Sequence, residues 1–379
     1  MRFEEVYFGW NESRFTQEEA ARALGICDRT FRRYVNRYDE MGIDGLSDKR
    51  LTQASFRRAP VDEVMAISDR YKSGYRGWNV KHFYSKYRKD GGQRSYSWVK
   101  NTLQSSGLVR KVSKRGVHRK HRERSPFPGM MLHQDGSTHE WVPGKKWDLI
   151  VTMDDATNEH YSMFFVDEEG TASSFQGVRD VIAQRGLFSS LYTDRGSHYW
   201  LTPKEGGKVS KTQLTQFGRA IKQLGIQMIA AYSPEARGRS ERAFLTHQDR
   251  LPKELALEGI TDMDAANRYL AKEYKPSFNI EFMQPPSEEG SAFVPWIGVN
   301  LDDILCQQEE RTVTADNCVS VDGYKLQIPP NKYRCHYVRV RVMLHRYRDG
   351  SLAIFHGPLK LADYDRLGKL LEATPRKAA

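Results

Sequence analysis

Three acidic residues, far apart in a chain of 379 residues, are of the types and in the settings that could do chemistry together. Asp135 ends the apolar run "MMLHQDGS", Asp194 ends "LFSSLYTD", and Glu241 falls one turn into a helix expected to begin near Gly238. Strand ends are where open α/β sheets place their reactive groups. If the strands carrying Asp135 and Asp194 are neighbours, the two carboxylates stand side by side, and the helix from Gly238 brings Glu241 across to them. Three clustered carboxylates repel one another, so a compensating charge is needed. Magnesium suits that role, because it is hard, prefers oxygen ligands and keeps waters for a substrate. Two such ions, roughly 3.5–4 Å apart, activate an attacking oxygen and stabilise a leaving one in displacement at phosphorus. In "AAYSPEARGRSERAF" the arginines Arg237, Arg239 and Arg242 are then expected to face DNA phosphates. Glu235, directly after Pro234, is expected to point to solvent and take no part.

Other candidates carry less. Asp154 and Asp155 close the second core strand, but Asp-Asp-Ala-Thr is also good turn chemistry, and a structural role is expected. His133 and His139 flank Asp135 without a third ligand at zinc-binding spacing. His198, four residues after Asp194, is expected to pack rather than react. "EGGKVSK" lacks the strand and helix of a phosphate-binding loop and reads as a flexible insertion. Tyr75, Trp78, Phe83 and Tyr84 read as core rather than as a base-stacking platform.

The elements around these residues divide by charge. Residues 1–125 hold 28 Lys/Arg and 15 Asp/Glu, whereas the rest hold 31 and 33, so all the excess of the net +11 lies in the first third. Such segregation points to a polyanion-binding module joined to a near-neutral one. Residues 1–50 contain "RFTQEEAARALGICDRTFRRYVNRYDEMG", with apolar positions, a Gly25 turn and an Asp28 cap at helix-turn-helix spacing. Arg29, Thr30, Arg32 and Arg33 fall near the start of its second helix, where side chains meet a major groove. Residues 51–109 read as a second helical DNA-binding domain. Residues 110–125 form a basic linker whose Lys114, Arg115, Arg119 and Lys120 are expected to track phosphate.

From residue 126 to about 290, three strand-like runs and then helix, strand, helix, strand, helix predict a mixed sheet flanked by helices. Residues 291–379 turn to short strands, with hairpin signals at Asp322-Gly323 and Asp349-Gly350, and predict a small SH3-like β-barrel. The cysteines, four in all, are scattered without a CxxC pair, which argues against a zinc ribbon or a disulfide framework and fits a reducing cytoplasm. No signal peptide is expected, and no window approaches the roughly 18 uninterrupted apolar residues of a membrane span.

Taken together, "HQDGS", "YTDRGS" and "YSPEARGRSER" resemble the three motifs of the DDE transposase and retroviral-integrase superfamily. The third resembles its Y-x-P-x-x-x-G-x-x-E signature, with Tyr232, Pro234, Gly238 and Glu241 in place. "LHQDGSTHEW", "DLIVTMDDAT", "LTQFGRAIKQLGI", "LDDILCQQEERTV" and "GLSDKR" extend the likeness over nearly the whole chain, most closely to insertion-sequence transposases of the ISNCY group. The resemblance implies a multidomain protein with N-terminal helix-turn-helix domains and a ribonuclease-H-like core. It further implies catalysis by Asp135, Asp194 and Glu241, which also hold two Mg²⁺ or Mn²⁺ ions per site. The implied activity is DNA strand cleavage followed by strand transfer. The implied partners are double-stranded DNA, as transposon ends and target, and further copies of the chain in a dimer or higher synaptic assembly, acting in a bacterial or archaeal nucleoid.

Departures from the pattern are also plain. Asp194 and Glu241 are separated by 46 residues, a wide spacing that "HYWLTPKEGGKVSK" accounts for. Gln248 stands seven after Glu241, where many relatives carry Lys or Arg, and Arg250 is the nearby substitute. Two other readings stay open: a nuclease of this fold that cuts without joining, and a former transposase retained as a DNA-binding regulator.

Overall fold

A computed structural model describes residues 2–48, 58–111, 123–202, 207–210, 212–232, 238–298, 300–332 and 334–371. Lys114, Arg115, Arg119, Lys120, Glu235 and Arg237 therefore lie outside the described residues. The chain divides into two compact units, residues 1–73 with 94–110, and residues 74–93 with 111–379.

The first unit contains α1 (Arg2–Asn11), α2 (Gln17–Leu24), α3 (Asp28–Met41), α4 (Val61–Gly74), with Gly74 itself assigned to the other unit, and, beyond the first stretch, Tyr96–Ser105. Thr16 starts α2 through a capping box, in which its hydroxyl accepts the Glu19 N–H and the Glu19 carboxylate accepts the Thr16 N–H. Gly25 ends α2 at φ 67°, a left-handed turn that favours glycine, and the chain reverses into α3. Cys27, not Asp28, is the N-cap of α3, and Asp28 is its first helical residue, where its charge suits the positive end of the helix dipole. Ala20, Ala21, Phe31 and Val35 bury between α1, α2 and α3. This is the expected helix-turn-helix.

The second unit opens with α5 (Val80–Lys89), capped by Asn79 and held by its buried His82, whose Nε2 lies 2.7 Å from Glu254 Oε1; α6 is the Tyr96–Ser105 helix of the first unit. Its sheet is built from β1 (Met131–Val142), β2 (Lys145–Asp154), β3 (His160–Val166), β4 (Ser190–Thr193) and β5 (Gln227–Ala230), in the order β3-β2-β1-β4-β5. β1–β2 and β2–β3 are antiparallel, whereas β1–β4 and β4–β5 are parallel. Helices α7 (Thr171–Arg185) and α8 (Gln216–Gln223) share one core with Leu132, Tyr161, Leu191 and Ile226. Helices α9 (Gly238–Leu257), α10 (Met263–Tyr269) and α11 (Lys275–Phe282) share another with Trp141, Leu149, Val151, Met163 and Phe165. Successive side chains alternate between sheet faces, so strands with apolar residues at both parities are covered on both sides. The sheet is the mixed, helix-flanked one expected of a ribonuclease-H-like core.

The C-terminal strands do not form the expected SH3-like barrel. β6 (Gln307–Thr312), β9 (Arg341–Arg346), β10 (Leu352–His356), β11 (Leu359–Tyr364) and β12 (Leu370–Leu371) make an open sheet in the order β12-β11-β10-β9-β6. β7 (Cys318–Val321) and β8 (Tyr324–Gln327) form a separate two-stranded hairpin. That hairpin lies over the sheet, and Val319, Val321, Leu326 and Ile328 share a core with Val342, Leu344, Leu352 and Ile354. The Tyr364 hydroxyl donates to the Gln327 carbonyl at 2.8 Å and ties the layers together. Stacking two layers buries the apolar faces that closure would otherwise have buried. Both hairpin turns expected from the sequence are present, with Asp322 and Gly323 at φ 47° and 83° and Gly350 at φ 84°.

Candidate active site

Strand pairing places the first two carboxylates. Met131, Leu132 and His133 of β1 lie opposite Ser190, Leu191 and Tyr192 of β4 in parallel register. Carried on two residues, that register sets Asp135 level with Asp194, which follows directly on the last residue of β4, and the period of two puts both on the same side as His133 and Tyr192. Asp135 is buried, at 7% exposure, and its Oδ1 accepts the Gly136 N–H. Asp194 is half-buried and its Oδ1 accepts the Gly196 N–H at 2.8 Å.

Glu241 stands in the first turn of α9, which packs on β1. An open cleft of about 360 Å³ is lined by Asp135, Gly136, Ser137, Glu241, Phe244, Leu245 and Gln248, so Asp135 and Glu241 share one cavity. The Gln248 amide donates to Ser137 Oγ at 3.0 Å across it. Among the described residues, no group of three His, Cys, Asp or Glu side chains is gathered closely enough to hold a metal ion. Carboxylate oxygens are donors of the kind a hard cation takes.

A fourth carboxylate, Glu169, stands next to this group and was not singled out from the sequence. A Cβ added at Gly136 would lie 2.2 Å from Glu169 Oε2, so the glycine after Asp135 leaves the space that this side chain fills. His198 Nε2 is 3.4 Å from Glu169 Oε1, and Tyr199 is buried beside it. Burial, and then the charges of Glu169, Asp135 and Asp194, push the Tyr199 hydroxyl well above its ordinary pKa. The only sequence signal for Glu169 was its place in "DEEGT", just before a helix. "HYWLTPKEGGKVSK", the insertion that widens the spacing, packs where it is described: Tyr199, Trp200 and Val209 are core residues, and the Trp200 indole N–H donates to Thr193 Oγ1.

Asp154 and Asp155 are structural, as their turn chemistry implied. Asp154 accepts from the Gly129 N–H and from the N–H and hydroxyl of Thr157. Asp155, fully buried, takes His133 Nε2 at 2.7 Å, the Ser125 N–H and hydroxyl, and the Arg239 guanidinium. Burial alone would raise the Asp155 carboxyl, but His133, the Ser125 N–H and Arg239 hold it well below the usual carboxylate range.

The expected phosphate contacts fall into separate settings. Arg29, Arg32 and Arg33 are exposed along α3, with Thr30 half-buried beside Cys27, and Arg242 is exposed on α9 next to Glu241. Arg239 points inward onto Asp155 and is 16% exposed. Arg250 does not replace the missing cation at position 248: it is buried and clamps both oxygens of Glu281, at 2.8 and 3.0 Å.

Comparisons with known proteins bear on this arrangement. Residues 9–56 match the winged helix-turn-helix family. Over 353 residues, 90% of this chain and 76% of the relative, the sequence is 29% identical to a putative transposase of Sinorhizobium fredii. The chain is similar in sequence to that transposase. It is also 30% identical, over 161 residues, to the transposase of a Streptococcus pneumoniae insertion sequence, a match that spans 42% of this chain and 34% of that protein. Among solved structures, an HTLV-2 integrase catalytic core in complex with magnesium is 15% identical, covering 39% of this chain and 88% of that one at a TM-score of 0.30. A simian T-cell lymphotropic virus intasome in complex with a phosphatase regulatory subunit aligns over 75% of this chain and 93% of its own at a TM-score of 0.34. Among the described residues, no helix is long and apolar enough to cross a membrane.

Proposed function

We propose that this protein is a DDE transposase of the insertion-sequence type, most similar to the ISNCY group, that binds the inverted repeats at its element's ends and cuts and joins DNA there. The observation that supports it most is the register of β1 and β4, which sets Asp135 level with Asp194, with Glu241 lining the same cleft as Asp135. In this reading the three carboxylates hold two Mg²⁺ or Mn²⁺ ions, which when bound supply a polarised phosphate and an activated attacking oxygen. Everything else falls to the chain. β1 and β4 fix the two aspartates on a rigid sheet, and α9 presents Glu241 from the facing side. The exposed Arg242 beside it takes a phosphate of the bound strand, while Arg29, Thr30, Arg32 and Arg33 of α3 read the repeat.

Water first displaces the 3′-oxygen of the element's end from phosphorus, breaking that P–O bond and leaving a 3′-hydroxyl. That hydroxyl then attacks a phosphodiester of target DNA, forming one P–O bond as another breaks, with no covalent bond to protein. Two ends must be held together for paired joining, so the working form is a dimer or larger assembly.

Joining separates this activity from cutting alone. Pre-cut ends incubated with supercoiled plasmid and Mg²⁺ are expected to give covalently joined product. Efficient cutting of uncut ends with no joined product from pre-cut ends would favour a nuclease, and tight binding with neither would favour a regulator.

A further inference from the structure

Asp155 belongs to neither the cleft nor the DNA-facing surface, yet it gathers contacts from three separate stretches of chain. Its Oδ1 receives His133 Nε2 from β1, two residues before Asp135. Its Oδ2 receives the Ser125 N–H at 2.8 Å and hydroxyl at 3.0 Å, where the basic segment enters the core. The adjacent Arg124 caps the same turn, donating from one nitrogen to the Asp155 carbonyl at 3.0 Å and to Asn158 Oδ1 at 2.9 Å. The third contact is Arg239, two residues before Glu241.

The first turn of a helix is its least secured part, because its leading N–H groups have no partner within the helix. In α9 that turn carries Glu241. Residues two apart in a helix point about 200° apart, given roughly 3.6 residues per turn. Arg239 anchored inward therefore sets Glu241 outward, and fixes both the rotation and the advance of the turn. Ser240, between them, is also buried. A buried ion pair is a poor source of net stability but a strong constraint on geometry, because either partner left alone is costly.

We propose that Asp155 and Arg239 are positioning residues: their ion pair holds the first turn of α9 so that Glu241 faces Asp135, and Arg239 is not a DNA contact. This rests on the reading of Glu241 as a catalytic carboxylate. The pair further ties that turn to Ser125, so the end of the basic segment and the placement of Glu241 share one anchor.

The test uses the full chain with Arg239→Ala, Arg239→Lys and Asp155→Asn. It reads single-turnover cutting at saturating DNA, DNA affinity across a salt series, and hydrogen exchange of the α9 amides at 241–244. Arg239→Ala is expected to cut about 10 to 100 times more slowly, with affinity within twofold of wild type and an unchanged salt slope. Amides 241–244 should exchange faster, and Arg239→Lys, which keeps the charge, should recover most of the rate. Asp155→Asn combined with Arg239→Ala should be no slower than the slower single variant, since both remove one interaction. Wild-type cutting by Arg239→Ala would overturn the proposal. So would weakened affinity with a shallower salt slope and normal cutting at saturation, the mark of a phosphate contact. If Asp135→Asn also cuts normally, the catalytic reading itself fails; if Asp135→Asn is inert and Arg239→Ala normal, only the positioning role does.

Discussion

Asp135→Asn, Asp194→Asn and Glu241→Gln are each expected to lower metal-dependent cutting and joining by about a thousandfold or more, with end binding within a few-fold of wild type. Each change keeps the size of the side chain and removes one negative oxygen donor. A cation at a phosphoryl centre stabilises developing charge by several kcal/mol, and about 4 kcal/mol corresponds to roughly three powers of ten in rate. Asp135 lies within β1, opposite Val151 of β2, Asp194 follows the last residue of β4, and Glu241 is exposed; exchanges that keep side-chain size leave this pairing intact. In the proposed reading end binding draws on α3, which belongs to the other compact unit, so it should be spared. Gel-shift and cutting assays on one DNA substrate read both quantities. Substantial cutting by any of the three would remove that residue from the site.

The second large effect is acid lability centred on α9. The Tyr274 hydroxyl lies 3.1 Å from His247 Nδ1, His247 Nε2 lies 3.0 Å from His160 Nε2, and His160 Nδ1 lies 2.9 Å from the Asn158 carbonyl. Only one proton arrangement satisfies this chain. Tyr274 donates to His247, His247 to His160, and His160 to the carbonyl, with both rings neutral. A further proton on His160 Nε2 would face the His247 N–H, and one on His247 Nδ1 would remove the bond that Tyr274 donates. Burial lowers the His160 pKa to about 4 and that of His247 well below its ordinary value. His345, on β9, is likewise lowered to about 4, mainly by burial.

The sign follows. The unfolded chain takes up these protons near pH 6.5, while the folded chain resists until about 4, so stability is full above 6.5 and falls as pH drops toward 4. His160 alone accounts for roughly 3 kcal/mol at the lower end of that window. Glu254 adds a later loss. Burial would raise its carboxyl, but His82, Lys86 and Tyr269 hold it at about 2, so its contribution disappears as pH falls from 4.5 toward 2. Denaturant melts at pH 7.5, 6 and 5 should show a steep decline, and His160→Gln, which still donates and accepts but takes no proton, should flatten it. An unchanged profile would place the acid sensitivity elsewhere.

What could be read from the sequence was local or periodic. The runs ending at Asp135 and Asp194 alternate as strands do, and Gly25 and the apolar positions around it mark the helix-turn-helix. The position of α9 followed from Glu241's own motif. What could not be read depends on pairing across distance. Asp155 and Arg239 are 84 residues apart, and nothing in "MDDAT" names its partner. The hairpin turns at Asp322-Gly323 and Asp349-Gly350 were legible, but a turn fixes which strands are neighbours in sequence, not which edges meet. Here β7 and β8 meet only as a hairpin, and β12, of two residues, ends one edge of an open sheet. Glu169 was missed because it sits in a turn with two other acids, and only the folded chain brings it over Gly136.

Metal preference at one carboxylate tests the shared-cation site most directly. In Asp194→Cys the hard oxygen ligand becomes a sulfur, which binds Mg²⁺ poorly and Mn²⁺ better. Cutting of an end substrate by this variant is expected to be nearly abolished in Mg²⁺ and substantially restored in Mn²⁺, while Asp194→Ala stays inert in both. Wild-type cutting by Asp194→Cys in Mg²⁺ would show that this side chain holds no catalytic cation.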